Sequence, residues 1–246
     1  MRSFYLISIF LFFVTLFKDV VSQDPNEVLR KMDEALYCAK DRKSEIEIIT
    51  YDRSGRENVR KAITMQKGHD KRIFRFIEPP SQAGIGLLSL PNDVMYLYMP
   101  AYEKERRIAT SLKNQNFAGT DFSYDDMEIK LYQEKYDAIS VKKEGADLLL
   151  ELVPKPNTKS QYSKLIILLG SDSFYPKNVK YFDKSGNLIK ELENHKIEKI
   201  GDCFIATSLE MKSLKNNTKT KMIFYDTKIN TGISDDEFTV RKLIQK

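Results

Sequence analysis

The strongest constraint on this chain is a period of two that recurs along most of its length. In the stretch 44–51, Glu45 and Glu47 alternate with Ile46 and Ile48, and the alternation resumes over 59–65, up to a turn around Gly68. Segments 72–77, 95–99, 148–153, 165–169, 178–182, 188–193, 204–211 and 221–225 carry similar signals, separated by polar turns such as Asp183-Lys184-Ser185-Gly186-Asn187-Leu188. Side chains of a strand point alternately to opposite faces, so such runs predict many short antiparallel strands with one apolar and one charged face. The predicted class is mainly β within α+β.

An apolar sheet face needs a cover. One strong amphipathic helix is predicted over 25–39: Asp24 supplies an N-cap, Pro25 the first helical position and Glu27 the acid at N3. Val28, Leu29, Met32, Ala35, Leu36 and Ala39 follow at helical spacing, and weaker helical signals lie near 123–135. That is little cover for so many strands. Either the sheet closes on itself, or it leaves a concave apolar surface partly lidded by helices, which would make a hydrophobic ligand site.

Location bears on the choice. Residues 1–22 combine a positive start at Arg2, an apolar run from Phe4 to Phe17 and small or tolerated residues at Val20 and Ser22. This is the pattern of a secretory signal peptide cleaved after Ser22, with an uncleaved N-terminal anchor as the other reading. The formal net charge is +5, and losing Arg2, Lys18 and Asp19 takes one unit from it. Acids and bases then alternate almost everywhere, whereas nucleic-acid binders gather their basic residues into a stripe. No nucleic-acid role is expected. With no linker or repeat to divide them, residues 23–246 are expected to form a single domain. The two cysteines, Cys38 and Cys203, permit a disulfide in an exported chain; each also sits in an apolar setting where a buried free thiol is ordinary.

The block RFIEPPSQAGIGLLSLPNDVMYLYMPAYEKERRIATSLKNQNFAGTDFSYDDM, residues 75–127, resembles the core of the bacterial outer-membrane lipoprotein-sorting protein family, relatives of LolA and LolB. The likeness rests on a strand entering a proline turn, the pair Gly84 and Gly86 before an apolar run, the YLYMPA strand before Arg106-Arg107, and GTDFSYDD. The ending GISDDEFTVRKL (232–243) is similar as well. The resemblance implies a curved, incomplete antiparallel barrel with helices over its concave side. It also implies a periplasmic carrier of acyl chains of a lipid or lipoprotein. An inner-membrane transporter of the RND type is an implied partner. The alternative is a non-carrier accessory or sensor module that binds such a transporter or another envelope protein. A monomer is expected.

On either reading certain residues stand out. Phe74, Phe76, Met95, Leu97, Met99, Leu148, Leu150, Leu152, Ile166 and Leu168 form the candidate inward apolar set, with ordinary core as the alternative role. Methionine suits a pocket for variable chains because it is flexible and polarizable. Residues 79–91, with Gly84, Gly86, Leu87, Leu88 and Leu90, read as a mobile loop over the cavity mouth or as a fixed crossover. Arg106 and Arg107 follow a strand end. They are candidates for a rim contact with a lipid phosphate, or for ion pairs with Asp121, Asp125 or Asp126. No catalytic constellation, cofactor or metal site is expected: His69 and His195 have no metal-like spacing, and there is no nucleophile elbow or phosphate loop.

Overall fold

Asp24 accepts a hydrogen bond from the Asn26 N–H at 3.0 Å, and Pro25 opens helix α1 (Pro25–Leu36), which buries Val28, Leu29 and Met32. The computed structural model describes residues 23–245; the expected leader, 1–22, lies outside them. After α1 the chain enters strands β1 (Asp41–Tyr51), β2 (Glu57–Lys67), β3 (Lys71–Glu78), β4 (Gly86–Leu90), β5 (Val94–Met99) and β6 (Lys104–Arg107). Two short helices follow, α2 (Tyr124–Met127) and α3 (Tyr132–Lys135). Then come β7 (Tyr136–Glu144), β8 (Asp147–Pro154), β9 (Lys164–Gly170), β10 (Pro176–Phe182), β11 (Leu188–Ile200), β12 (Cys203–Ser213) and β13 (Thr218–Ile229), with helix α4 (Val240–Ile244) near the end.

All thirteen strands join one antiparallel sheet in the order β6-β5-β4-β3-β2-β1-β13-β12-β11-β10-β9-β8-β7. The sheet does not close, since β6 and β7 are its two edges. The predicted α+β fold with an incomplete barrel is the one observed. Both edges are charged, with Lys104, Glu105, Arg106 and Arg107 on one and Lys142, Lys143 and Glu144 on the other, which discourages pairing with a second sheet.

Two cores result. The larger covers the inner face and draws Phe74, Phe76, Leu87, Met95, Leu148, Leu150, Leu152, Leu165 and Ile167 together with α1, Phe117 and Phe122. The smaller lies on the outer face, where Phe238 and Leu243 of the C-terminal segment pack on Ile73, Leu88 and Tyr98. Arg75 on β3 ties that segment down by donating to the Lys242 and Leu243 carbonyls.

Three expectations need correction. Ile166 and Leu168 are not on the inner face. Leu148, Leu150 and Leu152 pair with Leu169, Ile167 and Leu165 respectively, and these are the buried partners; Ile166 stands opposite Glu151 on the other side. The run Leu165-Ile166-Ile167-Leu168-Leu169 has no polar residue to mark its phase, and a one-residue slip inverts every side chain. Ile167→Ala is therefore expected to cost about 2–5 kcal/mol and Ile166→Ala less than about 1.5 kcal/mol in urea unfolding. Equal losses would contradict this register.

The second correction concerns 79–91, which is no mobile loop: Gly86, Leu87, Leu88 and Leu90 belong to β4, between β3 and β5. Leu87 faces the inner core, while Leu88 and Leu90 face the outer one. Burial on both faces erases the alternation that would have marked a strand. Gly86 is not a hinge but a close approach, since a Cβ there would lie 2.7 Å from Leu243 Cδ1. Gly84 occupies the left-handed region in the preceding turn, at φ +86°, against Pro100.

Third, Arg106 and Arg107 form part of the exposed edge strand β6, and among the described residues neither makes an ion pair. Their register opposite Leu97 and Tyr96 places them on opposite faces.

Candidate ligand site on the inner face

Residues 108–135, the connection from β6 to β7, run across the inner face. Their apolar anchor is Phe117, which meets Phe74 edge-on at 5.4 Å and stacks on Phe76 at 5.9 Å. With α1 they cover the predicted lining: Phe74, Phe76, Met95, Leu148, Leu150 and Leu152 are buried, while Leu97 and Met99 on β5 are half-buried.

Side chains of the sheet and of α1 hold this cover. Thr218 and Thr220 on β13 donate to the Asp121 carboxylate at 2.5 and 2.7 Å. Asp126 accepts from Lys190 at 2.9 Å, Tyr162 at 2.8 Å and the Ser123 N–H at 2.8 Å. Tyr37 donates to the Lys130 carbonyl at 2.7 Å, and Asp33 on α1 accepts from the N–H groups of Tyr132 and Gln133, both at 2.9 Å. Within the cover, Lys113 pairs with Glu128 at 2.5 Å and Lys130 with Asp125 at 3.0 Å. The acids expected to meet Arg106 and Arg107 are thus occupied elsewhere.

These groups do not titrate alike. Burial pushes the Asp33 carboxyl up to about 6, against the pull of its two backbone donors. Burial opposes the Asp126 charge too, but Lys190 and the Ser123 N–H win and hold its carboxyl below the usual range.

Two arginines of the inner face have no counterpart among the residues expected from sequence. Arg60 on β2 is 3% exposed, lies over the Phe76 ring at 4.8 Å and donates to the Ala118 carbonyl at 2.6 Å; its Nε and Nη2 have no partner. Arg72 on β3 donates to the Met127 carbonyl at 3.2 Å and to Gln66 at 3.0 Å, and burial, with Arg42 nearby, brings it down to about 10. The available signal was phase: Arg60 shares its face with Ala62 and Thr64, and Arg72 shares its face with Phe74 and Phe76.

The space left open is polar. A cleft of about 630 Å³ runs between the cover and the 155–160 loop, lined by Lys113, Lys130, Lys135, Lys155 and Lys159 with Asp93, Asp125, Glu128 and Glu134. A chamber of about 150 Å³ shares Asp125, Glu128, Lys130 and Tyr136 with it, and Leu36, Tyr37, Arg72, Asp126, Tyr132, Tyr162, Leu165 and Tyr181 complete its wall. Among the described residues no group of three or more His, Cys, Asp or Glu side chains is placed to hold a metal. His69 packs near Tyr37, and His195 lies beside Glu193 on β11.

A family model described only as uncharacterized protein-like matches residues 68–245, from the turn before β3 through α4. The chain belongs to that family. No curated protein matches its sequence. Among solved structures, a DUF1329 family protein from Desulfovibrio piger is 24% identical with a TM-score of 0.83, over 89% of this chain and 97% of that one. A domain described as an outer membrane lipoprotein-sorting protein, from Vibrio parahaemolyticus, is 22% identical with a TM-score of 0.82, over 90% and 100%. A LolA superfamily protein from Nitrosomonas europaea follows at 19% identity and a TM-score of 0.73, over 89% and 98%. The resemblance read from residues 75–127 is upheld: the family of this chain shares its fold with LolA-superfamily and lipoprotein-sorting proteins. Both the open sheet and the cover lie mostly within the matched residues.

Proposed function

We propose that this protein is a periplasmic carrier that shelters the acyl chains of a lipid or lipoprotein against the inner face of its sheet, with residues 23–246 acting as one domain behind a cleaved leader. One observation carries this reading: a continuous apolar face spanning an open sheet, overlain by a connection whose two helices have only four residues each. Displacing that connection would uncover Phe74, Phe76, Leu150, Leu152 and Ile167 as a lining for acyl chains. Each buried methylene contributes about 0.8 kcal/mol, so a chain of ordinary length supplies ample affinity. The likeness to lipoprotein-sorting folds, the leader pattern and the Cys38–Cys203 bond, formed with a Cα–Cα distance of 5.6 Å, support an exported carrier.

A second reading is favoured by Phe117, which already packs against both Phe74 and Phe76. On it the protein is an accessory or sensor module whose inner face is permanently its own core, and its partner is an envelope protein such as an RND-type transporter.

Native mass spectrometry with lipid extraction, on protein purified from a bacterial periplasm without harsh detergent, separates the two. The carrier reading expects a stoichiometric acyl lipid or lipopeptide. A clean apo mass, unchanged after incubation with phospholipid and with a triacylated lipopeptide, overturns it in favour of the module.

A further inference from the structure

Four residues stand in one cross-strand row on the inner face. Arg42 on β1 is opposite Gln66 on β2, Gln66 is opposite Arg72 on β3, and Arg72 is opposite Ser89 on β4. Gln66 donates its amide to the Gly68 carbonyl at 3.0 Å, which turns its oxygen toward the arginines. That single oxygen accepts from Arg42 at 3.3 Å and from Arg72 at 3.0 Å. All the side-chain hydrogen bonds of both guanidinium groups go to neutral acceptors, and among the described residues neither has an ion-pair partner. Ser89, 2% exposed, has an Oγ with no hydrogen-bond partner at all.

Two half-buried positive groups sharing one neutral oxygen, beside a buried orphaned hydroxyl, leave donors without an anionic partner. Their natural complement is a group with several acceptor oxygens and a negative charge, which guanidinium donors bind in pairs. Of the row, Arg72 reaches the wall of the 150 Å³ chamber, whereas Arg42 and Gln66 line a small separate recess beside Cys38 and Cys203. The three acids of that wall are each engaged by a lysine, Asp125 by Lys130, Asp126 by Lys190 and Glu128 by Lys113, and in the cleft beyond it Lys135 pairs with Asp93. Arg72 is thus the cation of the chamber wall that no acid engages, and Arg42 stands behind it across the Gln66 oxygen.

We propose that the Arg42–Gln66–Arg72 row, with the Ser89 hydroxyl, is a binding site for a phosphate group that reaches Arg72 from the chamber. A lipid headgroup and free phosphate share this chemistry. The lipid source rests on the carrier reading, and it places the head of the cargo at this row with its chains toward Phe74 and Phe76.

Calorimetric titration of the purified protein tests the site with three probes: dihexanoyl phosphatidic acid, dihexanoylglycerol with the same chains but no phosphate, and inorganic phosphate. The phosphatidic acid is expected to bind about tenfold or more tightly than dihexanoylglycerol, as suits a charge-assisted contact. Arg72→Gln should abolish that margin, and Ser89→Ala should reduce it by about threefold or more. Inorganic phosphate binding with the same sensitivity to both variants, without any lipid binding, would support the site and identify free phosphate as its source. Equal affinity for the two lipids overturns the site while leaving the carrier reading intact. Silence from all three probes overturns both. If Arg72→Gln does not fold, the wild-type margin and its response to Ser89→Ala take its place: a margin reduced by Ser89→Ala supports the row, and a margin untouched by it overturns the row.

Discussion

Reducing the Cys38–Cys203 bond, or replacing both residues with serine, is expected to lower the unfolding free energy by about 5 kcal/mol. The bond joins residues 165 apart in sequence, linking the segment after α1 to the start of β12. A cross-link of that span removes much of the freedom of the unfolded chain, and the loop-closure term grows with the logarithm of loop length. Cys203 is buried, so its loss also loosens the contact between the helix end and the sheet. Urea unfolding with and without reductant measures the difference. The reduced protein should also show a steeper denaturant dependence, because its unfolded chain is more open. A loss below about 1 kcal/mol would contradict the loop-closure account.

The second large effect lies at Asp126. Its carboxylate meets Lys190 at 2.9 Å, with side chains only 4% and 10% exposed. Asp126→Leu would strand the lysine charge in the interior and leave the Tyr162 hydroxyl without its acceptor, at a cost of about 3–5 kcal/mol. Lys190→Met should cost a similar amount. The double variant Asp126→Leu/Lys190→Met should recover most of the loss, since replacing a whole buried pair by apolar groups is close to neutral. Purely additive losses in that cycle would mean the pair is not coupled. Acid should act on the same bond. Burial alone would raise the Asp126 carboxyl, but Lys190 and Ser123 bring it below the range of an unfolded aspartate. The folded state therefore binds this proton less readily. The stabilisation is present above the ordinary aspartate value, about 3.9, and disappears as the pH falls through the depressed one. A melting series downward from pH 5 should show wild type converging on Asp126→Asn.

Much of the fold could be read from alternation, because most strands have one wet face. It was legible in β1, β2, β3, β5, β8 and β10 to β13, while β9 could be placed but not phased, and the cap of α1 was legible from Asp24 and Pro25. What escaped had physical reasons. Strand β4 is buried on both sides, and β6 is a charged edge whose four residues are all exposed. Strand β7 puts Ile139 outward and Ala138 inward, against the polarity expected of a sheet face. The candidate site was less legible still. Apolar positions of the inner face were recognisable as a set, apart from the slipped pair Ile166 and Leu168. The rim arginines drew attention because they are adjacent, whereas Arg60 and Arg72 stand singly among apolar and hydroxyl-bearing neighbours. Local sequence also carries no trace that Asp126 would find Lys190, 64 positions away.

The strand order has a bearing on how the chain reaches this state. From β1 to β6 and from β7 to β13 every pairing joins neighbours in sequence; the one exception is the seam where β1 meets β13. Two meanders can therefore form early, each from short-range closures that cost little chain entropy. Zipping the seam is the slow, non-local event, and Cys38 and Cys203 lie close to it. Oxidation before the seam forms would turn its longest closure into a short one, so refolding from the oxidised chain should outpace refolding from the reduced chain.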